Sequence, residues 1–371
     1  MPGLDVLRGV AILSVFFFHG LKWSLPPADR IQSNVFKLGA PFSFGWLGVN
    51  LFFVLSGFLI TGILLDTRTR KNYWRSFYVR RVLRILPLYL AVLVILKAMI
   101  GVSWLYILMC LFYLANFAYL LPPDALWYGP LWSLAVEEQF YLLWPLVVRK
   151  FRKRTLALLC VAGIVISPVL RALSISKTVP LGDVYYTTWL VCDNLLFGAL
   201  LAVFLRTAAA TARRVRMLTV TTGVLAVVFA GAGFKLHMMS RSTALGAAFQ
   251  PEPFLLLFSF LLLLALQYGD RPVIYWTLAP LRFFGYISYG LYMFHLLGFQ
   301  AFDEAMKRMH IHLGTLTVRF MLFRFVVVWA GLTLWCYLSR RYFEEYFLRF
   351  KERLVPYETQ TAKGASGALI S

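Results

Sequence analysis

Long apolar blocks separated by short basic stretches constrain the fold of this 371-residue chain more than any other feature. A helix rises about 1.5 Å per residue, so about 20 apolar residues are needed to cross the roughly 30 Å hydrocarbon core of a bilayer. Ten blocks come close to this length: 4–23, 45–65, 85–101, 131–148, 155–173, 187–205, 217–236, 254–268, 283–300 and 315–338. The chain is therefore predicted to be an all-α polytopic membrane protein with about ten transmembrane helices.

Charge and composition support a lipid bilayer as the partner. The chain is 60% hydrophobic and 14% charged, with a formal net charge of +21. Its basic residues lie between the apolar blocks, and no polar stretch is long enough to form a nucleic-acid-binding domain. The largest basic clusters, at 68–84 and in "RKFRKR" at 149–154, fall on the same side as both termini. The distribution of basic residues predicts that both termini are cytoplasmic and that the protein sits in the cell inner (plasma) membrane.

One further apolar segment, 102–121, is long enough to span. A crossing there would move "RKFRKR" to the opposite side, so this segment is interpreted as a re-entrant or interfacial element. The chain is divided into a transmembrane domain, 1–340, and a cytoplasmic C-terminal tail, 341–371, with a disordered end.

Several common functional sites are not supported by the sequence. The four cysteines lie in apolar segments without C-x-x-C spacing, and no H-E-x-x-H motif is present, so neither a disulfide framework nor a metal site is expected. Neither a Walker-type phosphate loop nor a G-x-G-x-x-G turn after a strand occurs, which argues against an ATP or dinucleotide site.

The first apolar block contains two groups that are costly in hydrocarbon, Arg8 and His19. Eleven residues separate them, which places both near one helix face and roughly 16 Å apart along the axis. A structural interpretation also exists, in which Arg8 reaches the lipid headgroups and His19 is a hydrogen-bonded packing residue.

Other spans strengthen the functional interpretation. Counting helical rise from each boundary predicts that several ionisable groups reach the same outer layer as His19, namely Glu137, Glu138, Asp193, His295 and Lys97. A histidine beside a carboxylate is a general-base arrangement, so Glu137 or Glu138 is predicted to orient the ring of His19. Asp193, His295 and Asn50 are candidate substrate-binding residues, although the small residues around Asn50 also fit close helix packing.

The basic stretch before the third span offers a second candidate site. Arg81 and Arg84 are three residues apart and share a helix face, as a clamp for an anion requires. Binding of lipid headgroups is the alternative interpretation of this stretch.

Five motifs in order resemble the acyltransferase 3 family over residues 4–340: "LDVLRGVAILSVFFFHG", "GVNLFFVLSGFLITG", "FYVRRVLRILP", "LWSLAVEEQFYLLWP" and "ISYGLYMFH". The resemblance implies an integral membrane enzyme that transfers an acyl group, commonly acetyl, from cytoplasmic acyl-CoA to a hydroxyl of a carbohydrate or another cell-envelope acceptor. By position, Arg8, His19, Arg81 and Arg84 match residues that the family uses. Glu138 is a less specific match because Glu137 is adjacent.

Two features set this chain apart from the family pattern. Some members continue into a further span and an SGNH domain, which this chain is expected to lack. Many members have an arginine directly before the aspartate of the sixth span, where this sequence has Val191 and Cys192 before Asp193. A transporter or flippase that uses the same polar layer is the alternative function, although no internal repeat is evident.

Overall fold

The computed structural model describes residues 1–23, 39–122, 124–175, 185–239, 243–310 and 317–356. Within these ranges every regular element is helical, which confirms the predicted all-α class. The end of the C-terminal tail that was expected to be disordered, 357–371, lies outside the described residues.

Sixteen α-helices form the described fold: α1 (Pro2–Phe18), α2 (Gly48–Thr67), α3 (Tyr73–Ile95), α4 (Trp104–Leu111), α5 (Leu131–Lys150), α6 (Lys153–Ile175), α7 (Thr188–Phe204), α8 (Ala212–Lys235), α9 (Ala244–Phe249), α10 (Pro251–Tyr268), α11 (Pro272–Thr277), α12 (Ala279–Tyr286), α13 (Ser288–Arg308), α14 (Val318–Leu338), α15 (Glu345–Leu348) and α16 (Phe350–Leu354). Short π-helical segments extend three of them: His19–Trp23 after α1, Leu96–Ile100 after α3 and Ser339–Glu344 after α14.

Seven helical segments of the described chain are long and apolar enough to cross a membrane, by length and composition: Pro2–Lys22, Gly45–Thr67, Tyr73–Ile100, Lys153–Ser174, Ala212–Lys235, Leu245–Tyr268 and Val318–Leu354. The other three predicted blocks are also helical. Charged residues lower the hydropathy of α5, α7 has only 17 residues, and the block at 283–300 is divided between α12 and α13. The total of ten spans stays a prediction.

The segment 102–121 does not form one long helix. It contains α4, with eight residues, and a 3₁₀ helix, Ala115–Leu120, separated by a turn in which Tyr113 has a positive φ of 54°. A helix of eight residues spans only about 12 Å, which is too short to cross a bilayer. This geometry agrees with the interpretation of the segment as re-entrant or interfacial.

Helices α2 and α7 approach each other closely because glycine lies at their crossing. A Cβ atom at Gly57 would lie 1.8 Å from the carbonyl oxygen of Leu195, and one at Gly198 would lie 2.0 Å from the carbonyl oxygen of Val54. Only glycine permits this backbone contact, which is typical of helix pairs in membranes. Helix α1 contacts α2, α10, α12 and α13, so the N-terminal helix is packed among four other helices.

The end of the chain packs back onto the bundle. Helices α15 and α16, which follow the last long helix, both contact α3. Arg80 of α3 forms a 3.5 Å ion pair with Glu352 and donates a 2.8 Å hydrogen bond to the carbonyl oxygen of Val355. Residues 341–356, assigned to the tail from sequence, therefore contribute to the packed structure.

Candidate functional site

A cavity of about 520 Å³ lies between α2, α3, α5 and α13. On α2 its lining residues run from Val49 to Thr67, a rise of about 27 Å along the helix axis. We call the part lined by Thr67, Arg80 and Lys351 the basic end, and the part lined by Val49, Ser133 and Tyr292 the histidine end. The cavity is thus long, and its two ends differ in chemistry.

Cations dominate the polar lining of this cavity: Arg8, Arg80, Arg81, Arg84, Arg340 and Lys351. Four of them have carboxylate partners, which are Asp5 for Arg8, Glu344 for Arg340, and Glu352 for both Arg80 and Lys351. The arrangement leaves a surplus of positive charge on the cavity wall. Such a surplus attracts an anion into the cavity.

Arg81 and Arg84 supply much of that surplus. Both side chains line the cavity, as their three-residue spacing on one face of α3 predicted. Neither forms an ion pair with a carboxylate among the residues that the structure describes. The guanidinium of Arg81 lies 4.7 Å from the centre of the Tyr141 ring, which holds it without neutralising it. The pair is therefore available to an anionic ligand.

Arg340 and Lys351 were not identified as site residues from the sequence. Both belong to the basic stretch after the last long helix, which was interpreted only as a determinant of topology. Lys351 reaches the cavity because α16 folds back onto α3. Nothing in the local sequence indicates that return.

The structure distinguishes the two adjacent glutamates. Glu137 lines the cavity, and its Oε1 accepts a 2.6 Å hydrogen bond from Oγ of Ser56. Glu138 is not among the lining residues, and its buried Oε1 has no hydrogen-bond partner in the described part of the chain. Adjacent residues on a helix point about 100° apart, so only one of them can face the cavity. That residue is Glu137.

His19 and His295 form a pair of rings beside the histidine end. Their ring centres are 4.8 Å apart, and His295 is fully buried. Nδ1 of His19 lies 2.9 Å from the carbonyl oxygen of Val15, and Nδ1 of His295 lies 2.6 Å from that of Tyr292. A carbonyl oxygen can only accept, so each Nδ1 carries the proton and each Nε2 presents a lone pair.

The prediction that Glu137 or Glu138 holds the ring of His19 in its orientation is wrong. The carbonyl of Val15, one helical turn earlier, holds the ring instead, and neither glutamate is hydrogen-bonded to it in the described structure. The helix changes from α to π at His19, and such a change of winding recurs at functional sites.

Tyr292 separates the histidine pair from the cavity. Its ring centre is 5.6 Å from that of His295, and its hydroxyl lies 2.5 Å from Oγ of Ser133. Tyr292 and Ser133 line the cavity, whereas neither histidine does. The imidazoles thus lie one side chain beyond the cavity wall.

The ionisable groups predicted to reach one outer layer do not converge on one site in the described structure. Nζ of Lys97 donates to the carbonyl oxygen of Val102 at 2.9 Å and lies over the Trp104 ring. Asp193 belongs to a separate buried cluster, described next. Only the two histidines come into direct contact.

We call that cluster the arginine-171 cluster; it comprises Arg171, Asp193, Glu252, Asn194 and Asn50. Nη1 of Arg171 donates to Asp193 at 2.6 Å, and Nη2 forms an ion pair with Glu252. Asn194 donates to Asp193 at 2.7 Å and accepts from Asn50 at 2.9 Å. None of these residues lines the cavity, so the structure does not bring Asn50 or Asp193 to the site.

Arg171 was not identified as a site residue from the sequence. It is fully buried, and its remaining N–H groups donate to the carbonyl oxygens of Ala248 and Leu190. The family pattern gave a signal that could have found it. Val191 and Cys192 stand before Asp193, where many family members have an arginine. The carboxylate of Asp193 therefore needs a cation from another helix, and Arg171 of α6 supplies it.

Comparison with known proteins agrees with the resemblance seen in the motifs. The acyltransferase domain of the acyltransferase 3 family matches residues 1–340. The peptidoglycan O-acetyltransferase OatA of Listeria monocytogenes is 30% identical over 334 residues, covering 80% of this chain and 49% of its own length. The putative peptidoglycan O-acetyltransferase YrhL of Bacillus subtilis is 33% identical, covering 55% of this chain and 33% of its own.

A third relative, the O-acetyltransferase OatA of Staphylococcus aureus, is 32% identical, covering 54% of this chain and 34% of its own length. The chain thus spans half or less of the length of these curated relatives. No solved structure matches significantly. The family match over residues 1–340, together with the five motifs, shows that the chain belongs to the acyltransferase 3 family.

Proposed function

We propose that this protein is an O-acyltransferase of the cell inner membrane, which moves an acyl group, most simply acetyl, from cytoplasmic acyl-CoA to a hydroxyl of a cell-envelope carbohydrate. One observation carries the proposal. A cavity about 27 Å long is lined by Arg81 and Arg84, which form no ion pair among the described residues, and extends to Tyr292, whose ring contacts that of His295 beyond the cavity wall. Both termini and the basic end face the cytoplasm in this arrangement.

The donor side rests on charge and shape. Arginine forms strong, charge-assisted hydrogen bonds with phosphate oxygens, and Arg81 and Arg84 have no carboxylate to occupy them. A coenzyme A thioester is a long molecule with phosphates at one part and the reactive group at the end of a flexible arm. In the cavity its phosphates would contact the arginines while the thioester reaches the region of Ser133 and Tyr292.

The histidine pair supports the transfer step. Nε2 of His19 presents a lone pair and takes the proton of the acceptor hydroxyl. The hydroxyl oxygen then bonds to the thioester carbonyl carbon, the carbon–sulfur bond breaks, and His19 returns the proton to the leaving thiolate. His295, whose ring contacts His19, helps to hold that ring in place.

The acceptor class comes from the relatives. Two of them bear names that include peptidoglycan O-acetyltransferase, so a peptidoglycan hydroxyl is the first acceptor to test. It would approach His19 from the side opposite the basic end. Residues 1–340 form the transferase domain in this proposal.

The experiment measures transfer of radiolabelled acetyl from acetyl-CoA to peptidoglycan fragments by purified protein in lipid nanodiscs. We compare wild type with His19→Asn, which keeps a side-chain N–H for the Val15 carbonyl but has no basic ring nitrogen. Loss of a general base lowers turnover about 100-fold to 10,000-fold. His237→Asn is the matched control, because His237 is exposed.

The expected result is labelled glycan with wild type and His237→Asn and almost none with His19→Asn. Equal labelling by all three proteins would remove His19 from the chemistry. If wild-type protein releases no coenzyme A thiol and labels no acceptor, the acyltransferase proposal fails and a transporter or flippase becomes the better interpretation.

A further inference from the structure

A second cavity, of about 330 Å³, adjoins the first near the start of α1. We call it the arginine basin, after the four arginines that line it: Arg8, Arg84, Arg282 and Arg340. Two tyrosines, Tyr275 and Tyr286, complete much of its wall. It differs from the long cavity in that four of its ten lining residues are arginines.

Two of these arginines have unused hydrogen-bonding groups. The Nε atoms of Arg282 and Arg340 are buried and have no hydrogen-bond partner in the part of the chain that the structure describes. A buried donor without an acceptor costs about 1–3 kcal/mol. The guanidinium of Arg282 lies 3.4 Å from the centre of the Tyr275 ring, which fixes its plane beside the basin. The donors are therefore held in place before any ligand arrives.

Acidic residues near the basin do not balance its charge. Asp5 is the lining carboxylate among the described residues, and it is bound to Arg8 at 2.5 Å. Glu344 pairs with Arg340, and Glu345 accepts a hydrogen bond from Tyr286, but neither lines the basin. The guanidinium groups of Arg84, Arg8 and Arg340 line the same basin, and like charges repel each other. An anion with more than one charge would relieve that repulsion.

We propose that the arginine basin binds the terminal phosphomonoester of the coenzyme A donor, and that Arg282 and Arg340 are the residues that recognise it. The inference rests on the proposed function and specifies its donor subsite. A phosphomonoester is close to a dianion at neutral pH and offers three acceptor oxygens, which matches several guanidinium donors.

Continuity between the cavities favours the donor as the source of this phosphate. Arg8, Arg84 and Arg340 line both the long cavity and the basin. A molecule whose reactive arm lies in the long cavity can therefore place a terminal phosphate in the basin without leaving the protein. A lipid headgroup has the same chemistry and is the competing source, which the experiment must separate.

The experiment compares the affinity of coenzyme A with that of dephospho-coenzyme A, which differs only by this phosphate, in nanodiscs of zwitterionic phosphatidylcholine. Wild type is expected to bind coenzyme A about tenfold to a hundredfold more tightly, the range for a charged hydrogen-bonded contact. Arg282→Gln should remove most of that preference by weakening coenzyme A binding alone. Arg271→Gln should retain the preference, because Arg271 also stacks on a tyrosine, Tyr268, but does not line the basin.

Three results would overturn the proposal. In the first, wild type binds coenzyme A and dephospho-coenzyme A equally. In the second, Arg282→Gln keeps the full preference for coenzyme A. In the third, the effect of Arg282→Gln appears only when phosphatidic acid is added, which would assign the basin to a lipid headgroup. If Arg282→Gln does not fold, Arg282→Lys replaces it, since lysine keeps the charge but loses the planar fork and its Nε donor.

The phosphate subsite and the acyltransferase function can fail separately. Equal acetyl transfer from acetyl-CoA and its dephospho form would overturn the phosphate subsite while the acyltransferase function stands. A preference for coenzyme A in binding, without transfer to any acceptor, would support the subsite and overturn the function.

Discussion

Two regions of this molecule place arginines in opposite surroundings, the buried arginine-171 cluster and the wall of the long cavity. In the arginine-171 cluster, Arg171 is enclosed by two carboxylates and two backbone carbonyls. Along the long cavity, Arg81 and Arg84 have no carboxylate partner among the described residues. The buried charge of Arg171 is neutralised within the protein, whereas the charges of Arg81 and Arg84 face the cavity and are open to a ligand. An arginine inside a membrane protein therefore indicates function only when its partners are missing.

The largest expected effect is a loss of stability when the arginine-171 cluster is disrupted. Arg171→Met keeps much of the volume but leaves the buried carboxylate of Asp193 and the partly exposed carboxylate of Glu252 without their cation. Removing one partner of a buried ion pair costs about 3–5 kcal/mol, so the unfolding temperature in detergent should fall sharply. Adding Asp193→Asn and Glu252→Gln to the same chain should recover most of the loss. An unchanged unfolding temperature in the single variant would show that the cluster does not hold the fold.

Substitutions in the long cavity should have the opposite effect, weakening ligand binding with little loss of stability. Replacing Arg81 and Arg84 together by Gln should weaken coenzyme A binding at least about tenfold to a hundredfold, since charged hydrogen bonds contribute about 1.5–3 kcal/mol. The unfolding temperature should fall little, because no ion pair among the described residues is lost and only the contact of Arg81 with the Tyr141 ring is weakened. Titration calorimetry and thermal unfolding on the same samples test both statements.

The matched control for that experiment repeats the spacing elsewhere. Arg213 and Arg216 are also three residues apart, at the start of α8, but they are exposed and do not line the cavity. Replacing both by Gln should leave coenzyme A affinity unchanged. A loss equal to that of the Arg81 and Arg84 variant would mean that net charge, and not position, determines binding.

A smaller loss of stability is expected at the contact between α2 and α7. Gly57→Ala places a methyl group against the Leu195 carbonyl and should destabilise the α2–α7 contact by about 1–3 kcal/mol. Gly231→Ala is the control, because a Cβ atom there meets nothing within 4 Å, and removing a helical glycine is mildly stabilising. If both variants unfold at the same temperature, the helices can separate without cost.

The smallest effect is expected where an ion pair meets solvent. Arg206 and Asp66 join α2 to the end of α7 through bonds of 2.7 and 2.6 Å, with the Asp66 side chain 58% exposed. Exposed pairs contribute at most about 1 kcal/mol, so Asp66→Asn should barely change the unfolding temperature. A drop close to that of Arg171→Met would contradict the argument that burial distinguishes these pairs.

Much of the fold and part of the site could be predicted from local sequence. Apolar length determined the helices, and the spacing of Arg81 and Arg84 predicted a shared face that the structure confirms. The choice between Glu137 and Glu138 could not be predicted. Both lie on one helix, and the neighbour that decides between them, Ser56, belongs to α2.

The sequence by itself determined the all-α class and the family, because apolar length and ordered motifs are properties of the chain alone. Only the tertiary structure decided which buried charges are neutralised, because that depends on residues far apart in sequence. Arg171 meets Asp193 and Glu252 across three helices, and Lys351 reaches the cavity through a returning C-terminal helix. Electrostatic energy follows distance in space, and helix packing sets that distance.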